Sequence, residues 1–81
     1  MIKYLPLYEF LCASQKESIR FTFLEIENIL ESRLPQSAYI YREWWANGGH
    51  VQADAWLNAG YQVETVDLVT HCVVFSKCSK S

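Results

Sequence analysis

The chain has 81 residues, with nine acidic and seven basic side chains for a net charge of −2 and a pI near 5.6. That length leaves room for one domain, residues 1–81, because neither half of a divided chain would have enough apolar surface for a core. The 51% hydrophobic content, with aromatics making up 15% of the chain, excludes a disordered tail, and the acidic balance counts against a protein that holds nucleic acid by bulk positive charge.

Tyr4, Leu7, Tyr8, Phe10 and Leu11 recur at helical spacing, with Pro6 suited to a first turn, and predict a helix ending near Ala13. Ser14–Ser18 is polar and turn-like. Ile19–Thr22 is β-branched and aromatic, enough for one short strand. Thr22 followed by Glu25 is a capping box, so a second helix starts at Phe23, buries Phe23, Ile26, Ile29 and Leu30, and ends near Ser32. Pro35 suits the first turn of a third helix reaching about Ala46, where Asn47, Gly48 and Gly49 stop it. Ala38, Tyr41 and Trp45 fall on its core stripe; Gln36, Tyr39, Glu43 and Asn47 fall on another. A short helix follows from Val51 to Ala59, closed by Gly60 as the residue past its end. From Tyr61 to Lys77 the period changes to two, with a phase shift between Val63 and Val66 that predicts a bulge and a turn near Val69 to His71. Residues 76–81 read as a frayed tail.

This order predicts an α+β, winged-helix-like domain: a helix-turn-helix, an extra short helix and a C-terminal β-hairpin joined by the first strand into a three-stranded sheet.

The third helix and its exit carry the candidate contacts: Gln36, Ser37, Tyr39, Arg42, Trp44, Asn47, His50 and Gln52. In a major groove, Gln36 or Asn47 would pair with adenine, Arg42 with guanine or a phosphate, and Tyr39 with a phosphate. The competing reading makes this an ordinary solvated face with the tryptophans as core filler. Trp44 and Trp45 point about 100° apart on a helix, so one belongs at an edge, either as an anchor for a partner or packed under a neighbouring element. The hairpin has no Lys or Arg between Tyr61 and Ser76, which suits a protein contact or dimer edge better than a phosphate-tracking wing.

His50 and His71 lack a second ligand at metal-site spacing, and no nucleophile stands beside a base, so neither metal, cofactor nor enzymatic activity is expected. Cys12, Cys72 and Cys78 are odd in number, without a C-x-x-C pair, and Met1–Leu11 is too interrupted for a secretory leader. Free thiols in a cytoplasmic protein are expected, and no run approaches the roughly 18 apolar residues of a membrane span.

The segments Phe21-Thr22-Phe23 with Glu25-Ile26-Glu27, Leu34-Pro35 with Ser37-Ala38, Trp44-Trp45-Ala46-Asn47, Ala55-Trp56 and Gly60 together resemble a family of small bacterial and phage domains of unknown function. The resemblance spans nearly the whole chain, implies a helix-turn-helix recognition module and adds no catalytic residue. Glu31-Ser32 departs from it where a glycine is expected after the second helix.

Two functions are carried forward. One is DNA binding through the third helix. The alternative is a protein-interaction module, a phage- or defence-related adaptor or inhibitor or a homodimer, that uses exposed aromatics and the hairpin edge. Neither a membrane nor a small-molecule substrate is expected.

Overall fold

A computed structural model describes residues 2–78. A 3-10 turn over Ile2–Tyr4 leads into α1 (Leu5–Ala13), followed by β1 (Ser18–Thr22), α2 (Phe23–Leu30), α3 (Gln36–Ile40), a second 3-10 turn over Arg42–Trp45, α4 (Val51–Asn58), β2 (Tyr61–Asp67) and β3 (Cys72–Lys77). The three strands form one antiparallel sheet in the order β1-β3-β2. The domain is therefore α+β, with four helices and a three-stranded sheet among the described residues.

Local chemistry sets several of the boundaries. The Thr22 hydroxyl accepts from the Glu25 N–H at 3.1 Å and the Glu25 carboxylate accepts from the Thr22 N–H at 2.8 Å, which closes the capping box and starts α2 at Phe23. At the other end the Glu27 carbonyl accepts from both the Glu31 and Ser32 N–H groups. That closure needs a left-handed residue, and Glu31 takes it at φ 57° where glycine would sit without strain. Gly60, at φ 86°, ends α4 as expected. The bulge also falls where the phase shift put it: Val63 faces Phe75, Thr65 faces Val74, and Glu64 is the extra residue between.

The core is organised by a column of aromatic rings. Phe23 stacks on Trp45 at 4.9 Å between centroids, Trp45 on Trp56 at 6.0 Å, and Trp56 tilts against Phe75 at 5.4 Å. The column ties α2, the second 3-10 turn, α4 and β3 together, with all four rings buried. Both indole N–H groups are satisfied: Trp45 Nε1 donates to the Ala38 carbonyl at 2.9 Å and Trp56 Nε1 to Asn47 Oδ1 at 3.0 Å. Truncating either tryptophan removes stacking and leaves a void, at a cost of about 3–5 kcal/mol.

Three expectations are corrected here. The third helix does not run to Ala46; it ends at Ile40, Tyr41 is extended at φ −111° and ψ 123°, and the chain re-enters only a 3-10 turn. The reason is the Trp45 indole, which occupies the Ala38 carbonyl that the Arg42 N–H would take in a continuous helix. Tyr41, expected in the core, is consequently 58% exposed. Finally, Ser76 and Lys77 are not frayed but pair in β3 with β1 and β2; positions 79–81 of the expected tail lie outside the described residues.

These local features set two measurable stabilities. Thr22→Ala removes the cap and lowers unfolding free energy by about 1 kcal/mol in urea titration, while Glu31→Gly relieves the left-handed strain and raises it by roughly 0.5–1 kcal/mol.

Candidate binding surfaces

The eight residues singled out from the sequence do not share one face of one helix. Gln36 and Ser37 are exposed in the first turn of α3, and His50 is exposed just before α4. The other five each contact the fold, although Arg42 and Asn47 stay exposed. The Tyr39 hydroxyl donates to Glu27 Oε2 at 2.7 Å, and its ring packs edge-on against Phe23 and His71. Arg42 Nη1 donates to the Val66 carbonyl at 2.8 Å. Trp44 is half-buried, with its ring edge-on to Tyr4 and Trp45. Gln52 is buried and its Nε2 donates to the Trp44 carbonyl at 2.8 Å.

Asn47 is the most heavily engaged. Its Oδ1 accepts from the Val63 N–H at 2.8 Å and from Trp56 Nε1, while its Nδ2 donates to the Val63 carbonyl at 3.0 Å. A single carboxamide thus does for Val63 what a neighbouring strand residue would do. With Arg42 on Val66, it closes the outer edge of β2, the hairpin edge expected to meet a partner.

The opposite edge of the sheet is open. Phe23 donates to the His71 carbonyl and Lys77 to the Glu17 carbonyl, so odd-numbered residues of β1 turn their backbone groups toward β3. The N–H and C=O groups of Ser18 and Arg20 then point outward, and among the described residues they have no hydrogen-bond partner. The free stretch is bounded on both sides, because the Thr22 N–H is held by Glu25 and the Lys16 N–H by the Ser14 hydroxyl at 3.2 Å. Apolar surface flanks it. Phe10 is 47% exposed and stands between two grooves, one of about 430 Å³ bounded by Ala13, Lys16 and Ile19, the other of about 310 Å³ bounded by Phe21, Glu25 and Ile29. Leu24, 64% exposed, lies one helical turn from Asn28 in the second groove.

A third surface lies on the uncovered face of the sheet, where Arg20, Arg42, Thr65, Asp67, Thr70 and Cys72 line a polar hollow of about 450 Å³. Asp67 accepts from the Val69 and Thr70 N–H groups, and those bonds, Thr70 foremost, hold its carboxyl below the usual range. Arg33, by contrast, lies beside α3 in a separate depression with Gln36 and Tyr39, and Lys16 lies beside Phe10, so the basic side chains do not form one cluster. Among the described residues no group of three or more His, Cys, Asp or Glu side chains is placed to hold a metal ion, and no helix is long and apolar enough to cross a membrane.

A family model matches residues 4–79. The chain belongs to the family described as a domain of unknown function, DUF7662. The match covers every helix and strand described above, so the family unit and the folded unit coincide. No curated protein and no solved structure matches the chain.

The open β1 edge was not among the residues singled out from the sequence. Ser18-Ile19-Arg20-Phe21-Thr22 reads as a strand, but nothing in it says which side pairs.

Two measurements check this geometry. Asn47→Ala removes three hydrogen bonds and leaves the buried Trp56 N–H without its partner, lowering unfolding free energy by about 2–3 kcal/mol. Tyr39, raised to about 12 by burial and by its bond to Glu27, titrates in ultraviolet absorbance well above the usual phenol value of 10.0. Because its folded value stands above its unfolded one, its stabilising contribution is whole below pH 10.0 and is lost as pH rises toward 12. Glu27, lowered from 4.5 by the Tyr39 hydroxyl and the Leu34 N–H, behaves oppositely: its contribution is present above pH 4.5 and fades as pH falls through the lowered value. Tyr39→Phe returns the Glu27 carboxyl toward its ordinary range.

Proposed function

We propose that this domain is a non-enzymatic protein-interaction module that binds an extended segment along the open edge of β1. The observation that carries the reading is the unpaired run of backbone groups at Ser18 and Arg20 beside exposed Phe10 and Leu24. Strand addition draws affinity from main-chain hydrogen bonds and specificity from side-chain grooves next to the edge, and both are present here. The contrast with β2 supports it: side chains close that edge, whereas no lysine, proline or bulge blunts β1. The exposed apolar side chains that flank β1 are those expected of an interface.

A second reading, duplex DNA binding by a winged-helix-like domain, draws on two observations. The β1-β3-β2 order with helices preceding the hairpin fits that plan, and Arg20 and Arg42 share a polar hollow with two threonines. In that reading Gln36, Ser37 and His50 are the free candidates for base or phosphate contact. It ranks second because α3 has only five residues, Tyr39, Asn47 and Gln52 spend their polar groups on the fold, and Arg42 gives one guanidinium N–H to the Val66 carbonyl.

One pair of titrations separates the two. An array of extended apolar peptides is expected to contain binders that shift the Ser18 and Arg20 amide resonances, and a random-sequence fluorescent duplex is expected to show no salt-sensitive binding. Duplex binding that weakens steeply with salt and drops in Arg42→Ala, with no peptide perturbing β1, overturns the interaction reading in favour of DNA.

A further inference from the structure

We propose that the occupant of the open β1 edge is a second copy of this chain, paired antiparallel through β1 about a two-fold axis at Ile19. The inference rests on the interaction reading above and names its partner. Each copy offers four free edge groups, the N–H and C=O of Ser18 and of Arg20. The next outward donors are already taken, the Lys16 N–H by Ser14 and the Thr22 N–H by Glu25.

Those limits select one register. Residues facing each other across an antiparallel pair must lie on the same side of the sheet, so a two-fold axis passes through a residue position and not between two. An axis at Arg20 makes only the Arg20–Arg20 pair of bonds and directs Ser18 at the occupied Thr22 N–H. It also sets two guanidiniums opposite each other, which is destabilising. An axis at Ser18 makes only the Ser18–Ser18 pair and sets Arg20 against Lys16, again like charges. An axis at Ile19 places Ser18 of each copy opposite Arg20 of the other. All four free groups on both strands are then satisfied, four inter-strand hydrogen bonds in total, with no like charges facing.

Side chains agree with that register. Ile19 meets Ile19 at a non-hydrogen-bonded position, where side chains approach most closely. Ile19 is half-buried and borders the Phe10 groove, so the two grooves lie on either side of the axis and Phe10 gains apolar surroundings that it lacks in the single chain. The product is a six-stranded sheet in the order β2-β3-β1-β1-β3-β2, both of whose outer edges are the β2 edges closed by Asn47 and Arg42. The interface is isologous and stops at two copies, as a closed two-fold assembly must.

The test is sedimentation of the intact chain over a concentration series, with three variants. Wild type is expected to pass from monomer to dimer. Arg20→Pro deletes an outward donor without touching the β1–β3 ladder, so the chain stays folded by circular dichroism and remains monomeric. Ser18→Glu faces Arg20 of the second copy at two equivalent positions and tightens the dimer about three- to ten-fold; Ser18→Lys weakens it by a similar factor. These two exposed substitutions keep the proposal open to refutation should Arg20→Pro fail to fold. A monomer at every concentration overturns it, as does a dimer indifferent to Ser18→Glu and Ser18→Lys. A monomer whose Ser18 and Arg20 amides still respond to an extended peptide sinks self-pairing and leaves the interaction reading standing; the absence of both responses sinks the two together.

Discussion

One carboxamide holds together parts of this fold that sequence order leaves separate. Asn47 accepts from the indole of Trp56 on α4 and from the backbone of Val63 on β2, and donates back to the same residue of β2. Buried polar groups must be paired, so the indole that completes the aromatic column also fixes where the asparagine stands. That position decides the character of the sheet. With Val63 satisfied on both backbone groups and the Val66 carbonyl held by Arg42, the edge of β2 is interrupted, and among the described residues the longer unbroken free run belongs to β1.

The same economy removes the reader helix. A continuous third helix would align Gln36, Tyr39, Glu43 and Asn47 on one stripe, but the Trp45 indole takes the Ala38 carbonyl and turns the backbone out at Tyr41. The chain gains a buried tryptophan stacked between Phe23 and Trp56, a larger gain than one further turn of exposed helix. Tyr39 is then turned toward Glu27 and His71, and Gln52 toward the Trp44 carbonyl. Residues that look like contacts in a helical projection are internal fasteners.

What was legible in the sequence was what neighbouring residues decide. The Thr22–Glu25 box, the Gly60 stop, the bulge after Val63 and the turn before Cys72 all follow from chemistry within a few positions. The glycine missing after α2 was also visible, and Glu31 bears the left-handed conformation in its place. The break at Tyr41 was not legible, because the competing donor is a side chain whose direction depends on the packing of α4. Nor was the difference between the two sheet edges: β1 pairs with a strand far along the chain, and only that pairing turns Ser18 and Arg20 outward. Asn47 could be read as a helix stop, but not as the closure of an edge sixteen residues later.

Amide hydrogen exchange on dilute protein, held monomeric, compares the two edges in a single experiment. A sheet closed at β2 and open at β1 predicts that the Val63 amide exchanges as slowly as the Val73 and Phe75 amides of the central strand, while the Ser18 and Arg20 amides exchange rapidly. Equal protection of Val63, Ser18 and Arg20, or a fast Val63 amide, would contradict the account.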